Sequence, residues 1–325
     1  LTTNFSNSGG CNLFQFQISN FKFDLKRVFR IPERPLDLKF EKKNLKLEKG
    51  TTSGVRKFPT PPKGNGVNPA VLYALNPLIL LEITGNAHFE GAMLCFLLAG
   101  ILFLQKNRLV PAAGFWAWAV ASKLVPLLFL PIVWVHLGFR KGLRFLLFFA
   151  GFTAVLFAPL FNLEILENMA GSLNLYFQQF AFNASGYYFL KAIGKALADP
   201  SLDVGRTLGP ILGIAVFFGV WALAFFTRPT TSSRRTSTAL LFASTLYLVL
   251  ATTVHPWYIA LPFGLGLLTT WRYPIVWTGV AMLSYSHYAD GGFKENFGLI
   301  ALEYLVLLVF ATWEFMRTPV AQAVE

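Results

Sequence analysis

The sequence predicts an all-α fold, a polytopic membrane helix bundle of about ten helical segments, some of them short or half-inserted. Of the 325 residues, 54% are hydrophobic and only 14% are charged, whereas soluble domains carry about 25% charged residues. Mean hydropathy is +0.52. Apolar runs also recur from residue 70 to near the end of the chain, as in membrane proteins.

The apolar runs give the order of the predicted elements. Several are shorter than the roughly 20 residues that a full span needs, so we expect tilted, broken or half-inserted helices. Prolines that fit kinks in such helices are Pro77, Pro111, Pro126, Pro131 and Pro159. The runs cover residues 70–84, 91–105, 109–121, 124–139, 143–160, 207–227, 238–254, 258–271, 274–288 and 298–316.

Charge decides how the stretch 109–139 is divided. Basic clusters flank it, at 106–108 before and at 140–144 after. Cytoplasmic loops are enriched in Lys and Arg, so both clusters are expected on the same side of the membrane. The stretch is therefore predicted to form two short helices that turn near Ser122-Lys123, and the later runs then alternate, with loop 161–206 outside.

The chain divides into three parts by composition. Residues 1–68 hold thirteen Lys or Arg against five Asp or Glu, which accounts for eight of the twelve net positive charges. This part is interpreted as a basic, poorly ordered cytosolic segment or a non-native leader. The transmembrane bundle is expected over 69–317, and 318–325 is expected to form a short cytosolic tail.

The distribution of charge argues against a nucleic-acid-binding protein, and the cysteine content argues against a disulfide framework or a cysteine metal site. The basic residues outside the leader lie in short loops between apolar runs, and no basic-aromatic stripe resembles an RNA platform. We therefore predict no nucleic-acid partner. The two cysteines, Cys11 and Cys95, form neither a disulfide framework nor a metal-binding spacing.

Polar and aromatic groups gather at one predicted membrane side. Each has a structural interpretation, as a belt aromatic, a capping histidine, a snorkelling lysine or a helix N-terminal acid. Their accumulation on one side is what indicates a site. The candidates are His88, Glu90, Lys123, Asn183, Tyr187, Tyr188, His255, Trp257 and Tyr258, together with the segment 287–290.

These residue types suit one kind of chemistry. Aromatic rings stack on the apolar faces of sugars, while a lysine and a histidine can neutralise a lipid-phosphate leaving group. A carboxylate can take the proton of an acceptor hydroxyl. Placed together at a membrane surface, these groups indicate transfer of a sugar from a polyprenyl phosphate.

Three motifs carry a resemblance to a known class. They are NPLILLEITGNAHFEG (76–91), LFLQKNRLVPAAGFWAWAVASKLVPLLFLPI (102–132) and VHPWYIALPF (254–263). They resemble the GT-C class of integral-membrane glycosyltransferases, in particular the bacterial polyprenyl-phosphate-mannose-dependent mannosyltransferases and, more distantly, the first mannosyltransferase of GPI-anchor assembly. The resemblance extends over 58–316 and corresponds to the C-terminal two-thirds of such an enzyme.

The resemblance implies a helix bundle with short helices at the outer surface, a polyprenyl-phosphate sugar donor and inversion at the anomeric carbon. It also implies roles for individual residues. Glu90 and His88 would be catalytic, binding the acceptor or assisting as base, and Lys123 would face the donor phosphate. The other substrate-binding candidates are His255, Trp257, Tyr258, Asn183, Tyr187 and Tyr188. No metal ligand is assigned, because Lys and His can stabilise the leaving phosphate without a metal. A divalent cation is left open as a cofactor, since some members of the GT-C class use one.

The sequence thus predicts a multi-pass protein, placed in the bacterial inner membrane, that transfers a sugar at the outer face. The sugar is mannose by resemblance. Expected partners are the polyprenyl-phosphate donor, a lipid-linked or glycan acceptor and the bilayer. Two alternatives stay open, a lipid-linked sugar flippase or transporter and an inactive truncated family member. Transporters tend to show internal repeats, and no repeat is visible in the sequence, which argues against the first alternative. The family's usual acidic first outer loop is not recognisable before Pro69, which favours the second.

Overall fold

The computed structural model describes residues 68–160, 168, 171, 181–197, 203–227, 233–288 and 294–317. These residues all belong to one compact unit, Gly64–Glu325. The predicted leader, the predicted tail and Asp290 lie outside the described residues. Within the described ranges every regular element is helical, apart from one isolated β-bridge. The prediction of an all-α membrane helix bundle is confirmed.

Twelve helices are assigned in the described ranges, and each predicted apolar run coincides with one helix or with two consecutive helical segments. Two 3₁₀ helices, Pro256–Ile259 and Ala281–Tyr288, are assigned in addition to these twelve. The helices are α1 Pro69–Ala74, α2 Ile79–Gly85, α3 Glu90–Gln105, α4 Leu109–Ser122, α5 Val125–Leu137, α6 Phe139–Leu160, α7 Ser185–Leu197, α8 Val204–Phe226, α9 Ser233–Leu250, α10 Ala260–Gly266, α11 Tyr273–Val280 and α12 Phe297–Arg317.

Three of the described helices, α6, α8 and α12, are long and apolar enough to cross a membrane. Helices α2 and α3 pass the same test together, although they meet at an angle of 99°. The shorter apolar helices include α4 and α5, in agreement with the expected short segments.

The chain reverses between α4 and α5, as the charge pattern predicts. Helix α4 ends where Lys123 adopts an extended conformation, with φ −162° and ψ 138°. The indole Nε1 of Trp116 donates to the carbonyl oxygen of Pro126 at 3.1 Å. In a straight helix these two residues would be about 15 Å apart along the axis. The stretch 109–139 therefore forms two helices.

Large aromatic side chains hold the first half of the bundle together. Trp116, Phe129 and Phe145 are fully buried, and Trp116 meets Phe145 edge-on with the ring centroids 5.8 Å apart. A Cβ atom at Gly100 on α3 would lie 3.2 Å from the Trp116 ring, so α3 and α4 approach closely. This packing of the two helices brings the start of α3 next to the end of α4.

The structure also differs from the prediction in four places. Helix α7 lies within 161–206, which was interpreted as an outer loop; its apolar residues are separated by polar ones and so form no continuous run. Helix α9 begins at Ser233, five residues before the predicted run, and α10 ends at Gly266 rather than at 271. The last residues of the run 238–254 are not helical, because Phe182 forms a parallel bridge with Thr253.

Candidate active site

An asparagine caps the helix that leads into the candidate site. The side-chain oxygen of Asn76 accepts the backbone N–H of Leu78 at 3.0 Å, as a helix N-cap does. Its amide nitrogen donates to the hydroxyl of Thr278 on α11 at 2.9 Å. The Asn-Pro pair, which suggested a kink, therefore caps the two helical residues that lead into α2 and ties them to α11.

The corner between α2 and α3 depends on a glycine. A Cβ atom at Gly91 would lie 2.4 Å from Cγ2 of Ile83, so a larger residue there would push the two helices apart. Ala87 in the corner has φ 54°, a left-handed conformation that is uncommon outside glycine. This tight corner sets His88 and Glu90 beside α2.

Two buried carboxylates flank the corner. Glu82 on α2 is 2% exposed, and its Oε2 atom lies 3.0 Å from Nε2 of His88. The same oxygen accepts a hydrogen bond from the side-chain amide of Asn86 at 3.1 Å. Glu90, which is 4% exposed, forms a short ion pair with Lys123 at the end of α4. Each carboxylate thus has a basic partner, as buried charges require.

The ammonium group of Lys123 has a second partner. Its Nζ atom lies 3.7 Å from the ring centroid of Tyr258, within the range of a cation–π interaction. Burial lowers the pKa of Lys123, and the carboxylate of Glu90 acts in the opposite direction. Lys123 therefore links the α3–α4 half of the site to the turn that precedes α10.

Four aromatic rings form a continuous column, here called the ring stack: His88, Trp257, His255 and Phe182. The centroids of His88 and Trp257 are 4.0 Å apart with an interplanar angle of 13°. Trp257 and His255 follow at 4.4 Å and 5°, and His255 and Phe182 at 4.7 Å and 28°. Beyond Phe182, the ring of His287 lies edge-on at 4.9 Å.

His255 contributes a neutral ring to the stack at neutral pH. Burial lowers its pKa to about 4, and electrostatic interaction with Lys123, His88 and His287 acts in the same direction. His255 therefore acts as a stacking and hydrogen-bonding group rather than as a cation.

Asn183 belongs to a second polar cluster, beside the ring stack. Its backbone N–H donates to Glu295 at 2.6 Å and its side-chain amide to Glu303 at 3.0 Å. Its carbonyl oxygen accepts the hydroxyl of Tyr304 at 2.9 Å, and the hydroxyl of Tyr188 bonds Glu295. Because its neighbour Phe182 is part of the stack, this cluster anchors the segment that carries the last ring.

The predicted site residues thus fall into three groups. The structure brings together His88, Glu90, Lys123, His255, Trp257 and Tyr258. Asn183 and Tyr188 lie in the second cluster. Tyr187 is 4% exposed, packs against the ring of Tyr188 with the centroids 5.7 Å apart, and donates to the carbonyl oxygen of Gly205 at 3.4 Å. The sequence analysis missed Glu82, Phe182, Glu295 and Glu303; the signal for Glu82 was a lone carboxylate inside an apolar run.

The donor groups of the site do not suit a metal ion. Among the described residues, no three or more His, Cys, Asp or Glu side chains come close enough together to hold one. The two carboxylates nearest the stack already face His88 and Lys123. We therefore derive no step through a divalent cation.

A family comparison covers the ionic half of the site. Residues 63–138 match the model of a family described as alpha-(1->6)-mannopyranosyltransferase, N-terminal domain. The resemblance to a bacterial mannosyltransferase of GT-C type is confirmed. The match covers α1 to α5 and so includes Glu82, His88, Glu90 and Lys123, but not the ring-stack residues of the second half. It names the family's N-terminal domain, whereas the sequence analysis assigned 58–316 to the C-terminal two-thirds.

The match supports a mannosyltransferase, and the three long apolar helices agree with a membrane protein. No curated protein matches the chain. The resemblance over residues 139–316 stays a prediction.

Proposed function

We propose that the chain transfers mannose from a polyprenyl-phosphate donor to a hydroxyl of a lipid-linked or glycan acceptor, with inversion at the anomeric carbon. In this proposal the protein crosses the bacterial inner membrane several times and the site faces outward. The family match supports mannosyl transfer. The observation that carries the rest is the position of Lys123, which lies between the carboxylate of Glu90 and the ring of Tyr258 beside the ring stack.

Lys123 suits the donor phosphate. The donor is a phosphodiester with one negative charge, and the polyprenyl phosphate that leaves it carries up to two. A partly buried ammonium therefore stabilises the leaving group more strongly than it stabilises the bound donor, which is the requirement for catalysis. Neighbouring rings of the stack cover the faces of Trp257 and His255, so in this proposal the mannose lies against the edges of these rings, beside Lys123.

His88 is the proposed base. The acceptor oxygen attacks the anomeric carbon and forms the new glycosidic bond while the bond from that carbon to the phosphate oxygen breaks. The electron pair of the broken bond leaves with the phosphate, and the acceptor proton passes to the ring nitrogen of His88 that does not face Glu82. A single displacement of this kind inverts the anomeric centre. Glu90 binds acceptor hydroxyls as a hydrogen-bond acceptor.

An apolar groove supports a lipid-linked donor. A cavity of about 470 Å³ lies between α9 and α12, lined by side chains such as Phe242, Leu308 and Phe315. Ser185 and Tyr304 also line it, and Tyr304 bonds the carbonyl of Asn183 next to the ring stack. We propose that the groove holds part of the polyprenyl chain while the phosphate reaches Lys123.

The distribution of charge supports an outward-facing site. Helix α3 leaves the site at Glu90 and α4 returns to it at Lys123, so the basic residues between them lie at the opposite end. The same reasoning places the start of α6 at that far end. By the positive-inside rule the far end is cytoplasmic and the site external. The far-end basic residues are Lys106, Arg108, Arg140, Lys141 and Arg144.

Reconstitution tests the proposal. Purified protein in liposomes receives radiolabelled polyprenyl-phosphate-mannose and a lipid extract as acceptor. Wild type is compared with Lys123→Ala and His255→Ala, and with Lys106→Ala as a control on an exposed lysine at the far end. We expect Lys123→Ala to abolish label transfer, His255→Ala to reduce it and Lys106→Ala to leave it unchanged. Transfer that is unaffected by both site variants contradicts the proposal, and label that crosses the bilayer without a new bond favours the flippase alternative.

A further inference from the structure

We infer that Glu82 is a positioning residue that fixes the tautomer of His88 and stabilises its protonated form; this inference rests on the proposed role of His88 as base. Glu82 lies inside the motif at 76–91 but was not among the predicted site residues. It lies in the middle of an apolar run and is 2% exposed, yet its carboxylate faces the one histidine of the α2–α3 corner.

The geometry determines which nitrogen of His88 carries the proton. A carboxylate oxygen only accepts hydrogen bonds, so the 3.0 Å contact between Glu82 Oε2 and His88 Nε2 places a proton on Nε2. In the neutral ring Nδ1 then holds the lone pair. The His88 ring also stacks on Trp257 at 4.0 Å, and its backbone N–H donates to the carbonyl oxygen of Glu82 at 3.2 Å. Ring plane, ring direction and tautomer are all constrained.

This arrangement suits a general base. When Nδ1 accepts the proton of the acceptor hydroxyl, the ring becomes an imidazolium whose second N–H already faces a carboxylate. The negative charge of Glu82 stabilises that cation at the moment it forms, as in other carboxylate–histidine pairs. No proton passes to Glu82 in this step.

The burial of Glu82 is costly without such a role. Desolvating a carboxylate requires compensation by hydrogen bonds and a partner charge. Asn86 supplies one neutral hydrogen bond to Glu82 at 3.1 Å. If Glu82 only holds the corner through Asn86, replacing Glu82 should lower stability and activity together. The effect should then be the same in the wild-type background and in a His88→Ala background.

A double-mutant cycle separates these readings. Glu82→Gln keeps an oxygen that accepts both hydrogen bonds but removes the charge, and Glu82→Leu removes both. We expect kcat to fall on the order of 10-fold or more for Gln and on the order of 10²- to 10³-fold for Leu, with donor KM changed less than about 3-fold. In a His88→Ala background neither substitution should lower kcat further. Additive losses in that background overturn the inference.

The matched control is Glu314→Gln. Glu314 is also a buried carboxylate, and it accepts the backbone N–H groups of Arg272 and Tyr273 at 2.8 and 3.0 Å at the start of α11. We expect this variant to lower thermal stability and leave kcat unchanged. A loss of kcat equal to that of Glu82→Gln would show that any buried carboxylate has the same effect, which contradicts a specific role for Glu82.

A spectroscopic measurement keeps the inference testable even if the protein transfers no mannose. The chain has only four histidines, so ¹⁵N-histidine labelling in detergent gives few imidazole signals, and His88→Ala assigns one of them. We expect His88 to show a protonated Nε2 and an unprotonated Nδ1 in wild type and a mixture of tautomers in Glu82→Leu. Wild-type tautomers in Glu82→Leu overturn the inference, whereas a correct tautomer without any sugar transfer overturns only the proposed function.

Discussion

Replacing Lys123 with methionine should destabilise the protein as well as inactivate it. Methionine keeps an unbranched apolar stem near the ring of Tyr258 but removes the ammonium, which leaves Glu90 buried without its partner. Removing one member of a buried ion pair costs about 3–5 kcal/mol. Because the Lys123 side chain is 28% exposed and that of Glu90 only 5%, some water reaches the pair. We therefore expect a loss of about 2–3 kcal/mol in unfolding free energy.

The double variant Lys123→Met/Glu90→Gln removes both charges and should recover most of that loss. The expected coupling energy between the two positions is about 2 kcal/mol. Equilibrium unfolding in mixed micelles, followed by the fluorescence of the eight tryptophans, measures it. Sugar transfer should remain absent in the double variant, since it lacks both the phosphate-binding cation and the carboxylate.

Lys141→Met provides the control, because Lys141 is an exposed lysine at the start of α6, where loss of one charge changes stability by less than about 0.5 kcal/mol. If Lys123→Met has wild-type stability, the reasoning is refuted, because the burial of the Glu90 carboxylate then does not depend on the charge of Lys123. Equal losses in the single and the double variant would refute it as well, because the two side chains would be energetically independent.

Three further predictions concern the ring stack and the corner. Because burial lowers the pKa of His255 from 6.5 to about 4, its neutral ring stabilises the fold fully above pH 6.5 and less as the pH falls towards 4. With a discount for partial exposure, the unfolding free energy of wild type should fall by about 1–2 kcal/mol more than that of His255→Gln over this range. Parallel curves of unfolding free energy against pH for the two proteins would disprove this. Trp257→Leu should lower kcat/KM for the donor about 5- to 30-fold in transfer assays, with half-exposed Trp118→Leu as the unaffected control. Gly91→Ala should lower the unfolding free energy measured by chemical denaturation by about 1–3 kcal/mol, and adding Ile83→Ala should restore most of that loss. Wild-type stability for Gly91→Ala would show that the corner tolerates a Cβ atom.

The helices were predictable because they depend on local composition. Apolar runs mark the segments that form helices, and the basic clusters on either side of 109–139 indicated the reversal at Lys123 that the structure has. Helix α7 escaped the same criterion because it is amphipathic: Tyr187 is buried while Phe189 is 67% exposed, so the helix shows no continuous apolar run. A search for helical periodicity rather than for runs would detect it.

The contacts of the site were predictable only in part. A gathering of polar residues at one side follows from topology, but the partner of each residue does not. His88 faces Glu82, six positions earlier and inside the apolar run, and Glu90 pairs with Lys123, 33 positions later. Asn183 bonds Glu303, 120 positions away. These pairings depend on the corner and on helix packing, which composition does not specify.

The two halves of the site are separate in the chain, and this separation has a consequence for specificity. The ionic groups, His88 with Glu82 and Lys123 with Glu90, all lie within the range that matches the mannosyltransferase family, and they would perform the steps common to any phosphate-linked sugar, proton removal and stabilisation of the leaving group. The other three ring-stack residues, Phe182, His255 and Trp257, lie outside that range, and in the proposal the edges of Trp257 and His255 contact the sugar itself. Substitutions of the ionic groups should therefore reduce kcat for every donor alike, whereas substitutions of Trp257 or His255 should change the ratio of kcat/KM between mannosyl and other hexosyl donors.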